Sequence, residues 1–212
     1  MFKIGTKLLM SPVDLAYCIN IGRQRTLNNR ANNVKEQKQN MKKSSEDVSI
    51  QGVIGEFFML NLFGQEKSSL DDTTPNNRTN DRGDIIFNGL KIDVKCAEGP
   101  KDHNYPLKVR YQNKKFPSDI YLLCTMKRLD KLININLNPI QNSNQTQSNN
   151  ITFNPNERIE LVYHGCVSGK KVFQPTNQGR FDNDYYVQQH NLEEFDDVLN
   201  FFQIIRPKSP RS

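Results

Sequence analysis

The sequence predicts an α/β (α+β) fold, and three patterns in its 212 residues carry that expectation. Residues 46–64, EDVSIQGVIGEFFMLNLFG, space their apolar positions as one well-buried helix. Residues 83–95, GDIIFNGLKIDVK, place alternating runs on either side of an Asn-Gly pair, the signature of a β-hairpin. Three further strand-like runs, 106–112, 119–126 and 158–168, precede an amphipathic helical segment at 191–205.

In chain order, the first helix is expected at Ser11. Ser11 serves as N-cap, Pro12 takes the first helical position, and Asp14 at the third makes an acidic capping box. Apolar residues thin out after Ile21, so the remainder reads as a basic, mostly exposed helical arm that carries Arg23 and Arg30. Gly64 suits the C-cap of the second helix, and Gly52 and Gly55 would let that helix approach a sheet closely. Glu56 is the anomaly on this helix, an acid set directly before Phe57 in a densely apolar run. GKKV at 169–172 is expected to extend the last strand across a turn, and Asn191 to cap the final helix. The chain divides into a basic arm at 1–45, a core at 46–205 with an Asn/Gln-rich insertion at about 136–156, and a basic tail at 206–212 expected to be disordered.

The hairpin is the most informative element. A two-residue turn at Asn88-Gly89 sets the register, which pairs Phe87 with Leu90, Ile85 with Ile92 and Asp84 with Asp93. One face then carries Ile85, Phe87, Leu90, Ile92 and Val94, and the other carries Asp84, Ile86, Lys91, Asp93 and Lys95. Like charges directly opposed on paired strands, with Cβ atoms roughly 4.5–5.5 Å apart, destabilise the pair. A hard divalent cation such as Mg²⁺, which favours one or two carboxylates plus water and phosphate oxygens, turns that repulsion into attraction. Lys95 stands beside such an ion, placed to orient or deprotonate a water or to offset charge on a phosphate.

Composition narrows the classes. With 29 Lys and Arg against 23 Asp and Glu, the net charge of +6 favours polyanionic partners. No run approaches the ~18 apolar residues of a membrane span, and the start of the chain lacks a secretory pattern, so an intracellular protein is expected. Cys18, Cys96, Cys124 and Cys166 are widely spaced, with no Cys-x-x-Cys pair and no histidine at zinc-ligand spacing. They read as reduced thiols near strands, and no structural zinc is expected.

A helix with an embedded Glu56 in GVIGEFF, then Asp84 in RGDIIF, then Asp93-Val94-Lys95 in KIDVKC, follows the order of the PD-(D/E)XK nucleases. Over residues 50–167 the chain resembles this restriction-endonuclease-like superfamily, with Gly83 where proline often precedes the first aspartate. The resemblance implies a central mixed sheet flanked by helices. It further implies Mg²⁺, with Mn²⁺ able to substitute, held by Asp84, Asp93 and the Val94 carbonyl, with Glu56 reaching in from the preceding helix. Glu56, Asp84, Asp93 and Lys95 would form the catalytic set of a Mg²⁺-dependent DNA endonuclease, of restriction type or specific for branched or damaged DNA. Lys91, Lys108, Arg110, Lys114 and Lys115, with Arg23 and Arg30 on the arm, are the candidate backbone contacts to DNA. Enzymes of this kind that cut both strands often pair as homodimers. The alternative is a non-catalytic nucleic-acid-binding module on the same fold, and the intact set of four residues argues against it.

Overall fold

The Asn88-Gly89 turn forms as the sequence requires, with both residues at positive φ, 50° and 76°. It joins β2 (Ile85–Phe87) to β3 (Leu90–Glu98) in the expected register, Ile85 opposite Ile92, Ile86 opposite Lys91 and Phe87 opposite Leu90. Ile85, Leu90, Ile92 and Val94 are buried while Ile86 is exposed, so the alternation holds as well. These elements belong to a computed structural model that describes residues 2–31, 43–70, 84–99, 104–115, 117–129, 153, 156–179 and 182–205. The expected basic tail and nearly all of the Asn/Gln-rich insertion lie outside the described residues.

Around the hairpin the chain builds a mixed α+β architecture. Its main sheet runs β1 (Lys7–Leu9), β6 (Ile159–Ser168), β5 (Ile120–Arg128), β3, β2 in spatial order. β3 and β5 are parallel and the other pairings antiparallel, so the sheet is mixed. β5 lies in the middle and is buried almost throughout. That is the expected condition of a strand covered on both faces. Ile120, Leu122, Cys124 and Met126 join the larger core, and Tyr121 and Leu123 join the smaller one.

The larger core lies under helices. α2 (Ser45–Phe63) is closed at its start by a capping box between Ser44 and Asp47 and at its end by Gly64 at φ 65°. At Gly55 the helix comes so near the sheet that a Cβ there would lie 2.6 Å from Cys96 Cβ, whereas Gly52 has open space. α1 (Pro12–Ala31) begins at the Ser11 box, where the Asp14 N–H donates to Ser11 Oγ at 3.1 Å. Its outer face carries the exposed basic residues, but Leu15, Cys18, Ile19 and Ile21 are buried in the main core. Gly22 brings its backbone against Ile50 of α2. The first half of α1 is therefore a packed layer of the core, and after Ile21 only Gly22 and Thr26 are buried among the described residues of the basic stretch.

The opposite face of the sheet is covered by a two-stranded ribbon, β4 (Leu107–Val109) and β7 (Tyr185–Val187), and by a short helix, α3 (Gly169–Val172). α3 stands where a continued strand was expected. The Gly169 N–H donates to the Asp119 carbonyl at 2.8 Å and a Cβ at 169 would strike the Ser118 carbonyl oxygen, so the chain must turn there. The final helix, α4 (Phe195–Ile205), starts three residues later than an Asn191 cap would place it. Glu193 is held back by two backbone hydrogen bonds with Cys166, which bridge it to β6. Among the described residues no helix is long and apolar enough to cross a membrane.

The two glycines of α2 give a paired test. Gly55→Ala should lower the unfolding free energy by about 1–3 kcal/mol, because the new methyl meets a Cβ fixed on a strand. Gly52→Ala should instead raise it by up to about 1 kcal/mol, the difference in helix propensity alone. Urea denaturation of both variants reads the two signs, and equal effects would remove the close approach as their cause.

Candidate active site

The sheet edge at the end of the hairpin gathers the acidic residues. Asp84 lies one residue before β2, just past the last register pair, and its backbone N–H donates to the Ile92 carbonyl at 2.9 Å, which keeps it beside the end of β3 and within reach of the Asp93 charge. The two carboxylates do not point at one another. Asp84 Oδ2 accepts the Val94 N–H at 2.6 Å, a charge-assisted bond of the strong kind. Asp93, 8% exposed, sets Oδ1 2.6 Å from Lys95 Nζ and accepts at Oδ2 from Asn113 Nδ2 at 3.4 Å. The Lys95 contact is one of charge, without hydrogen-bond alignment, so Asp93 Oδ1 is a buried oxygen with no aligned donor.

The protein crowded around the Asp84 carboxylate, followed by the charges of Asp93 and Glu56, pushes its pKa well above the ordinary carboxylate value. The residue is open to solvent along one side, and the charges of Asp93 and Glu56 act on it in the same direction as the burial. Burial opposes the charge on Lys95, but Asp93 and Asp84 outweigh it and hold the ammonium above the ordinary lysine value. Lys95 is therefore a cation at neutral pH, suited to positioning an anion or a water.

Glu56, 6% exposed, reaches this region from α2. Both its oxygens are taken by Arg25 of α1, with Nη1 donating to Oε1 at 2.7 Å and Nη2 to Oε2 at 2.8 Å. Nη2 also lies 3.3 Å from the Leu70 carbonyl, which it can bind from the same fork. Arg25 and Asn113 were not singled out from sequence. For Arg25 a signal existed, because 15, 18, 22 and 25 follow the inward stripe of α1, and a charge on such a stripe needs a buried partner. For Asn113 there was none, since its approach to Asp93 comes from the turn Tyr111–Lys115 folding over the sheet.

The donor set suits a hard cation. Even-numbered residues of β3 turn their backbone groups toward β2, as the Ile92 carbonyl and Val94 N–H do, so the Val94 carbonyl faces the same edge as the Asp84 side chain. Two carboxylates and a carbonyl on one edge are oxygen ligands of the type Mg²⁺ takes alongside water. Among the described residues no three His, Cys, Asp or Glu side chains form a group that could hold a metal ion, so Glu56, Asp84 and Asp93 are not gathered into one such cluster.

The basic residues divide. Lys91 is exposed on the hairpin, on the same strand face as Asp93, and Lys114 and Lys115 lie in the turn whose Asn113 meets Asp93. Lys114 also lies 3.2 Å from the Tyr185 hydroxyl. Lys108 is committed to Asp182 and Asp184 at 3.0 and 3.2 Å, and Asp184 also faces the half-buried Arg110. Arg23 pairs with Glu46 at 2.8 Å, and Arg30 is exposed at the end of α1.

The profile of a family of unknown function (DUF5843) matches residues 1–194. The chain belongs to that family. The match takes in α1, the hairpin, both sheets and the start of the last connection, so the acidic edge and the Arg25 fork fall within it. No curated protein and no solved structure matches the chain.

Asp84 binds its proton more tightly in the folded than in the unfolded chain. Between the ordinary carboxylate pKa of about 4 and its raised folded value, the native state therefore holds more protons, and stability falls as pH rises through that window. In EDTA, Asp84→Asn should melt at a higher temperature than the wild type at neutral pH and show a flatter decline from acid upward. Thermal melts across pH 4–8 check this, and identical slopes would show that Asp84 is not strained by its neighbours.

Proposed function

We propose that this chain is a Mg²⁺-dependent phosphodiesterase acting on DNA, a nuclease with a restriction-endonuclease-like core. The observation that carries the reading is the nearness of the Asp84 and Asp93 charges at one end of the sheet, with Lys95 2.6 Å from Asp93. Two acids held this close raise the proton affinity of Asp84, and a bound cation would relieve that repulsion. Asp84, Asp93 and the Val94 carbonyl would hold the ion. Mg²⁺ bound there supplies an acidified water and charge to offset the phosphate oxygens.

The remaining steps belong to the chain. Lys95, kept protonated by its two acidic neighbours, orients the attacking water and meets the negative charge that grows on the phosphoryl oxygens. Asn113 keeps Asp93 from swinging away through its contact at Oδ2. Lys91, Lys114 and Lys115 border the site on the hairpin and on the turn, where they offer backbone contacts to a nucleic-acid strand. Lys108 and Arg23 are less available for that work, because acidic partners already hold them.

Supercoiled DNA, linear DNA and single-stranded RNA, incubated with wild type and Asp93→Ala in Mg²⁺, Mn²⁺ and EDTA, test the reading. Nicking or linearisation that requires both metal and Asp93 is the expected result. Lys95→Ala should cut about 10²–10⁴-fold more slowly while keeping the Mg²⁺-induced rise in melting temperature, which Asp84→Asn should lose. Binding of DNA without cleavage in any condition would favour a non-catalytic binding module.

A further inference from the structure

Resting on the phosphodiesterase reading, the pairing of Glu56 points to how many ions the site holds. Glu56 is buried, and neither of its oxygens is spare, since the Arg25 guanidinium covers both at 2.7 and 2.8 Å. A planar fork on a carboxylate is among the firmest charged contacts a protein makes, and truncating one partner of a buried pair costs several kcal/mol. Arg25 is itself anchored. Its α1 backbone is pressed onto α2 through Gly22, and its side chain has the Leu70 carbonyl within reach at the foot of the segment that leads to Asp84. Binding of a cation by Glu56 would have to displace this fork.

The contacts agree. Arg25 covers the Glu56 carboxylate at both oxygens, whereas Lys95 reaches Asp93 at Oδ1 and Asp84 accepts a backbone N–H at Oδ2. The oxygens left for an ion therefore lie on the hairpin and not on Glu56.

We propose that Arg25 fills the charge-balancing place of a second metal ion, so that the site binds one divalent cation through Asp84 and Asp93, with Glu56 kept out of the coordination shell. Arg25 is thus a positioning residue that acts through Glu56, and α1 is part of the reaction centre's support.

Mn²⁺ titration of the full chain, followed by electron paramagnetic resonance and calorimetry, tests this without reference to cleavage. One ion per chain is expected, lost in Asp84→Asn and retained within about threefold in Glu56→Gln. Arg25→Ala should gain a second, weaker Mn²⁺ site that Arg25→Lys does not. Two ions in the wild type, with the second lost in Glu56→Gln, would overturn the proposal and leave the phosphodiesterase reading standing. No ion in the wild type would overturn both. If Arg25→Ala fails to fold, the wild type and Glu56→Gln decide the matter alone.

Discussion

The register of the β2–β3 hairpin is the constraint on which the remaining arrangement depends. A two-residue turn allows one pairing, and a slip of a single residue would send Ile92 and Val94 to the polar face and Asp93 into the helical core. β3 then passes its alternation to β5, which it meets in parallel from Ile92 opposite Ile120 to Glu98 opposite Met126. The two cores inherit their membership from that pairing. Even-numbered side chains of both strands pack under α2, and the odd-numbered Tyr121 and Leu123 pack under the ribbon. A turn of two residues thus decides both where the apolar surface goes and where the acids meet.

Given that register, acidic charge accumulates at one end of the sheet, and the fold answers each carboxylate with a different donor. Asp84 receives a backbone N–H from its own hairpin, Asp93 an ammonium two residues along its strand, and Glu56 a guanidinium from another helix. The three solutions differ in strength. The Glu56 pair satisfies both oxygens and is the most complete, while Asp93 retains a buried oxygen without an aligned donor and Asp84 remains crowded by its neighbours. Unrelieved repulsion therefore concentrates on the two hairpin aspartates. Sites that conflict with local stability in this way are where function is expected to lie.

What the sequence made legible was local. The hairpin needs only an Asn-Gly pair and alternation, and the capping box at Ser11 lies within four residues, so each could be read without knowing the fold. The misplaced elements were decided by distant partners. The start of α4 depends on Cys166 holding Glu193, 27 residues away, and the bend into α3 on the carbonyls of Ser118 and Asp119. β1 at Lys7–Leu9 gave no strand signal because it borrows its pairing from β6. Arg25 shows the same limit at the site. Its inward position was implicit in helical spacing, but the identity of its partner required knowing that α1 lies across α2.

The distribution of charge is then less simple than a net value of +6 suggests. Much of the positive charge near the sheet is already spent on acids of the same chain: Arg25 on Glu56, Lys108 on Asp182 and Asp184, and Arg128 beside Glu98 and Glu157. A polyanion approaching the acidic edge would meet the exposed cations of the hairpin and the Tyr111–Lys115 turn before any of these. At the edge itself Asp84 and Asp93 present acidic oxygens close together, which disfavour a phosphate unless a cation precedes it. The excess of basic residues favours association over long distances, and the edge makes close approach conditional on a bound cation. In the proposed nuclease, steering and chemistry are thus carried by separate sets of charges, and only the second set requires the metal.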